Sequence, residues 1–148
     1  MINSILNDNN KINNNKNFLP EEKLSKWVFE NPGNKRNCEI AKERILNIIE
    51  ASNSYFANAV AKELDLSGLQ LTTLPPCING LTNLTKLNLL GNQITTIAAN
   101  AFNGLTNLTE LNLSGNKITT IAANAFNGLT NLTMLHLSNN QITTIEAN

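Results

Sequence analysis

Between residues 62 and 147 the leucines and isoleucines recur with a fixed rhythm. Aligned on them, the chain falls into four units: "AKELDLSGLQLTTLPPCING", "LTKLNLLGNQITTIAANAFNG", "LTELNLSGNKITTIAANAFNG" and "LTMLHLSNNQITTIEAN". Leu87, Leu111 and Leu135 stand 24 residues apart, whereas Leu64 to Leu87 is 23. Within each unit, alternation such as Leu87-Asn88-Leu89 has period two. It predicts a short strand whose leucines enter a core and whose intervening residues face away from it. Ile94, Ile97 and Phe102 follow and are expected to fill that core from the convex side. Asn92, Asn116 and Asn140 come just after the strands, where a side-chain amide can satisfy backbone groups left unpaired by the turn. Stacked coils would align them into a ladder. The first unit departs from the pattern, with Leu69 at the ladder position and "LPPCI" in place of "IAANAF".

Ahead of the repeats the periodicity changes. "LPEEKLSKWVFEN" opens with Pro20 and two acidic residues, which suit a helix N-terminus, and "NPG" stops it. From Asn37 onward, Ile40, Ala41, Ile45, Ile48 and Ile49 fall on one helical face. A further short helix is expected over "SYFANAVA" before a first strand at 62–66. Residues 18–60 therefore read as a helical cap over the first repeat, since an uncovered solenoid end exposes its core. Trp27 belongs to the interior of that cap. Residues 1–17, rich in asparagine, hold too little apolar surface to fold and read as a disordered tail. Residues 61–148 then hold about four repeats, the last incomplete.

Three copies of L-x-x-L-x-L-x-x-N-x-I, at 84–94, 108–118 and 132–142, resemble the leucine-rich repeat. That resemblance implies an α/β solenoid, a short horseshoe with parallel β-strands on its concave face. Two further stretches, "NCEIAKERI" (Asn37, Ala41, Arg44, Ile45) after Trp27 and "LDLSGLQLTTLP" (Leu64 to Pro75), resemble the helical cap and first repeat of secreted bacterial leucine-rich-repeat effectors, a virulence group that includes effector ubiquitin ligases. This likeness covers roughly residues 20–76. The ligases have shorter repeats and carry their catalytic cysteine in a large C-terminal domain that these 148 residues do not contain. The 24-residue units with "AFNGLTNL" look instead like those of receptor-type repeat proteins. The resemblance implies a partner-binding role, inside a host cell, without ligase activity.

Composition narrows the partners. Formal net charge is zero, from eleven acidic and eleven basic residues, which argues against a nucleic-acid binder, since such proteins need a basic excess. No segment approaches the roughly 20 apolar residues of a membrane span. The start of the chain has no apolar core of a Sec signal peptide. Two cysteines, Cys38 and Cys77, cannot supply a disulfide framework. The expected location is the cytoplasm, or a host cell reached by an export route that needs no disulfides.

The second and third units differ at only three places in twenty-four: Lys86/Glu110, Leu90/Ser114 and Gln93/Lys117. The fourth then brings Glu110/Met134, Asn112/His136, Gly115/Asn139, Lys117/Gln141 and Ala122/Glu146. Seven of these eight changes fall on or beside the concave face, whereas Thr95, Thr96, Ala99 and Asn103 on the convex side do not vary. The candidate partner-binding columns are Glu63, Lys86, Glu110, Met134; Asp65, Asn88, Asn112, His136; and Ser67, Leu90, Ser114, Ser138, with Gln93, Lys117 and Gln141 at the edge. Random drift after recent duplication is the competing explanation. Four strands at about 4.8 Å spacing span about 15 Å. That gives a patch of a few hundred Å², below the roughly 800 Å² per partner of a standard interface.

Catalytic chemistry finds little support. His136, the single histidine, has Asn88 and Asn112 as column equivalents and no nucleophile or orienting group beside it. Cys38 begins a helix, where the dipole lowers a thiol pKa, yet no histidine is near it in sequence, and a structural role is favoured. Cys77 is expected to be buried. No metal cluster, phosphate loop or paired-carboxylate motif stands out, and no cofactor is implied. "NLT" at Asn83, Asn107 and Asn131 matches a glycosylation sequon, but the repeat itself dictates those letters. The expectation is a non-catalytic protein-interaction module; the alternative is a substrate-recognition fragment of a larger enzyme such as an effector ubiquitin ligase. A fourth unit without a fifth coil would leave Leu135, Leu137, Ile142 and Ile145 half covered, so pairing of two copies through that end is also expected.

Overall fold

A computed structural model describes residues 20–31, 34–53, 62–76 and 78–147. The expectations for the tail over 1–17, the short helix over 54–61 and the burial of Cys77 lie outside the described residues. Two helices, α1 (Pro20–Glu30) and α2 (Lys35–Asn53), precede seven short strands. These are β1 (Glu63–Asp65), β2 (Lys86–Asn88), β3 (Thr96–Ile97), β4 (Glu110–Asn112), β5 (Thr120–Ile121), β6 (Met134–His136) and β7 (Thr144–Ile145).

Proline at the first position of α1 forfeits no helical hydrogen bond. Leu24, Trp27 and Val28, spaced three and four apart, are the buried stripe of this helix. Asn31 ends it, its side chain donating to the Trp27 carbonyl at 2.7 Å. Helix α2 starts at Lys35, two residues before the expected Asn37. Its buried face centres on Cys38, Ala41, Ile45 and Ile48, with Ile40 and Ile49 at the margins. Cys38 is thus a core residue in the first turn. Burial pushes its thiol pKa up, and the Glu39 carboxylate adds to the rise. The activating effect of a helix start is overridden there.

The repeats form two parallel sheets around one core. The larger has the order β1-β2-β4-β6 and the smaller β3-β5-β7. Register follows the repeat offset: Leu64 pairs Leu87, Leu87 pairs Leu111 and Leu111 pairs Leu135. The second sheet was not foreseen. Its signal is the β-branched run Ile-Thr-Thr-Ile in each full unit, which suits a pleated surface. It aligns Thr96, Thr120 and Thr144 and buries Ile97 and Ile121. The first coil lacks such a strand. Pro75 and Pro76 occupy that region, and proline cannot donate to a ladder. Leu87, Leu89, Ile94, Ile97 and Phe102 are all within 1 % of complete burial, so the core is filled from the concave and the convex side as expected.

The asparagine ladder forms. Asn116 Oδ1 accepts the Ile94 N–H of the preceding coil at 3.1 Å, while its Nδ2 donates to the Leu89 and Leu113 carbonyls at 2.9 and 3.0 Å. Asn92 treats Leu71, Leu66 and Leu89 in the same way, and Asn140 treats Ile118, Leu113 and Leu137. At Leu69, which has no ladder amide, the cap bonds the turn instead: Asn34 Nδ2 donates to the Leu69 and Gln70 carbonyls at 3.1 and 2.8 Å. Trp27 Nε1 donates to Thr73 Oγ1 at 3.1 Å, and Arg44 donates to the Asp65 carbonyl. The helices therefore replace a preceding coil in hydrogen bonding as well as in apolar cover.

Candidate functional site

The larger sheet sets the candidate residues in rows. Glu63, Lys86, Glu110 and Met134 are register partners in one row, and Asp65, Asn88, Asn112 and His136 in the next. Beyond the strands, backbone bonds from Gly68 to Leu90, Gly91 to Ser114 and Gly115 to Ser138 keep Leu90, Ser114 and Ser138 aligned with Ser67. Gln93, Lys117 and Gln141 border the face. Lys117 Nζ meets Gln93 Oε1 at 3.1 Å, so these two lie side by side.

The rows are not equivalent chemically. In the second row, Asp65 Oδ1 accepts the Ser67 N–H, Asn88 Oδ1 the Leu90 N–H and Asn112 Oδ1 the Ser114 N–H, at 2.9 to 3.1 Å. Each is an Asx turn, in which a short polar side chain satisfies the backbone two residues on. This row therefore has a local structural task, except at His136, which has no such bond. Hydrogen bonds from Ser67, the nearby positive charge of Arg44 and a hydrogen bond from the Asn88 amide hold the Asp65 carboxyl below the usual carboxylate range, outweighing partial burial.

In the first row, Lys86 Nζ sits 3.2 Å from Glu63 Oε1. Glu110, on the other side of Lys86, is half-buried and takes part in no ion pair or side-chain hydrogen bond among the described residues. In the third row Leu90 is 43 % exposed, whereas Ser114 is buried and accepts the Ser138 hydroxyl at 3.0 Å. Met134, at 47 %, is the other large apolar side chain open on this face.

The invariant convex and loop letters also have tasks that sequence reasoning did not reach. Thr109 and Thr133 hydroxyls donate to the carbonyls of Thr85 and Thr109, and Asn107 and Asn131 amides to those of Thr82 and Thr106. The sequon letters are thus inter-coil fasteners. Thr119 and Thr143 do the same along the convex side. These threonine and asparagine side chains are fixed because each bonds a backbone carbonyl of the coil before it. The concave first and third rows carry fewer such duties.

A shallow open groove of about 260 Å³ lies where the strands begin, lined by Lys62, Asn83, Thr85 and Asn107. Thr85 and Asn107 already donate to backbone carbonyls, and no general base adjoins Lys62 among these lining residues. Among the described residues no group of histidine, cysteine and carboxylate side chains could hold a metal ion. Nor is any helix there long and apolar enough to cross a membrane.

No curated protein matches the chain. Residues 82–142 match the family model described as leucine rich repeat. Together with the parallel coils, the asparagine ladder and the two-helix cover, this gives the chain the fold of a leucine-rich-repeat solenoid with a helical N-terminal cap.

Proposed function

We propose that the concave β1-β2-β4-β6 sheet is the recognition surface of a non-catalytic protein-binding module. A solenoid of this kind is generally an interaction scaffold. One observation carries the narrower reading: three near-identical coils differ chiefly at side chains that the sheet aligns on one open face. Leu90 and Met134 give that face apolar contact area, and Lys86, Glu110 and Lys117 give it charge. Its small size favours a weak or transient partner unless the cap adds area. The likeness of the cap and first repeat to secreted effectors supports a host protein as the partner of a bacterial effector.

The test uses a photo-crosslinking amino acid placed at Leu90, on the concave face, or at Ala99, on the convex side. Each protein is exposed to eukaryotic and to bacterial cell extract. The expected result is one discrete adduct from Leu90, absent from Ala99, and lost when Lys86→Glu and Lys117→Glu are combined. Adducts from Ala99 alone, or indifference to the charge exchange, would count against the concave reading. An adduct found only in bacterial extract would remove the host-protein reading and leave the module intact.

A further inference from the structure

Charge on the concave face is unevenly satisfied. Lys86, with a glutamate on either side of it in register, is bonded to Glu63. Lys117 is engaged by Gln93. Asp65 is held by Ser67, Arg44 and Asn88. On β1 and β2, the charged Glu63, Lys86 and Asp65 are therefore each matched by a neighbour on the face. Glu110 is the charged side chain of the two strand rows that has no matching group. It is half-buried, so water alone solvates it incompletely, and an unpaired carboxylate in such a place gains from an incoming cation.

Its surroundings define what kind of cation. Met134 is its register neighbour on β6 and is 47 % exposed, offering an apolar, polarisable flank. Asn112 and His136 are paired in the adjoining row. Asn112 accepts the Ser114 N–H through Oδ1, which leaves its amide nitrogen to donate elsewhere. A compact inorganic cation would find a single carboxylate and no second acidic ligand there. A basic side chain on an apolar stem would set its charged head on Glu110 and its methylenes on Met134. Arginine suits this better than lysine, because its guanidinium is planar, forks onto a carboxylate and is weakly hydrated.

Resting on the concave-face reading, we propose that β4 and β6 form the specificity patch of that face and receive an arginine side chain from a segment of the protein partner. Glu110 takes the guanidinium, Met134 packs its stem, and Asn112 and His136 bound the patch. The repeat sequence agrees, because Lys86/Glu110/Met134 and Asn112/His136 are the substitutions that create this patch and its difference from the preceding coil.

The experiment follows backbone amide shifts of the ¹⁵N-labelled full chain on adding blocked five-residue alanine peptides with arginine, citrulline or glutamate at the centre. Citrulline keeps the shape of arginine without its charge. The arginine peptide is expected to shift amides of residues 110–114 and 134–138, with affinity about three- to fivefold above that of the citrulline peptide, as an exposed ion pair allows. The preference should fade at high salt and vanish in Glu110→Gln. That position already accepts lysine and methionine in the neighbouring coils, so the variant should fold. Equal binding of arginine and citrulline peptides, or no shift at tens of millimolar arginine peptide, overturns the proposal. Preferential binding of the glutamate peptide near Lys86 and Lys117 also overturns it, while leaving the concave reading in place. Shifts confined to residues 95–103 would remove both.

Discussion

Asn116 Oδ1 accepts the backbone N–H of Ile94, one coil back, at 3.1 Å, and the same side chain serves two carbonyls through Nδ2. Asn116 is only 5 % exposed, so none of these groups has water as an alternative. Replacing it with alanine strands the Ile94 N–H, while the Leu89 and Leu113 carbonyls each keep one donor, from Asn92 and Asn140. At about 1–3 kcal/mol for a buried polar group left unpaired, Asn116→Ala is expected to cost about 2–3 kcal/mol, the two weakened carbonyls included. Asn140→Ala should cost less, because its site is part-exposed and water can enter. Urea unfolding followed by circular dichroism measures both, and equal losses would contradict the reasoning.

Gly104 and Gly91 separate crowding from backbone strain. Both adopt left-handed φ, of +89° and +67°. A Cβ at Gly104 would lie 2.7 Å from the Asn79 carbonyl oxygen, whereas one at Gly91 would meet nothing within 4 Å. Gly91→Ala should therefore cost only the strain of a non-glycine residue, about 1 kcal/mol. Gly104→Ala must also push two coils apart, with a cost of about 2–3 kcal/mol or more. Melting temperatures of the two variants rank them, and Gly91→Ala melting at or below Gly104→Ala would refute the ranking.

The solenoid was legible because leucine alternation and a fixed repeat offset are direct consequences of strand geometry and stacking. Rows on the concave sheet follow from the same offset, so Glu63, Lys86, Glu110 and Met134 could be aligned from sequence. Other features depend on contacts that no local pattern announces. Leu69 advertised a missing ladder rung, but the bond by which Asn34 ties the cap to that turn spans 35 residues and a change of element. The two-residue strands β3, β5 and β7 are too short for periodicity to register. The threonine at 95, 119 and 143 looked like spare surface, although the Thr119 and Thr143 hydroxyls donate to the carbonyls of Thr95 and Thr119 in the coil before. Which of its two flanking glutamates Lys86 would choose was likewise a matter of three-dimensional placement. That choice decides where the face is open.

Asp65 should place a mark on the acid stability of the fold. Its carboxyl titrates below the usual value of 3.8 because Ser67, Arg44 and Asn88 favour the charged form. A depressed folded-state pKa adds stability that is present above the unfolded value, near 3.9, and is lost as pH falls through the folded one. Asp65→Asn should remove this contribution, flattening the acid limb below about pH 4. Near neutral pH the variant should fold well, since Asn88 and Asn112 make the same turn without charge. Denaturant midpoints between pH 2 and 7 test this, and an unchanged acid limb in the variant would assign the pH dependence elsewhere.

The last coil differs from its neighbours in cover. Leu135 is 39 % exposed and Ile145 71 %, while their register partners Leu111 and Ile121 are 0 % and 4 % exposed. Strand β6 has a paired edge toward β4 and presents its other edge to solvent. An edge of this kind beside apolar side chains favours pairing with another chain. The opposite end of the sheet is covered by α2, whose Arg44 bonds the Asp65 carbonyl next to β1, so head-to-tail stacking is blocked. Association of the 148-residue chain should therefore be isologous and stop at a dimer, with β6 against β6 of a second copy. Light scattering behind size exclusion, over a concentration series, should show monomer passing to dimer and no larger species. Leu135→Lys with Ile145→Lys should hold the chain monomeric without disturbing coils two and three. Growth beyond the dimer would mean that the cap does not close its end, and a monomer at every concentration would mean that the exposed edge is too small to associate.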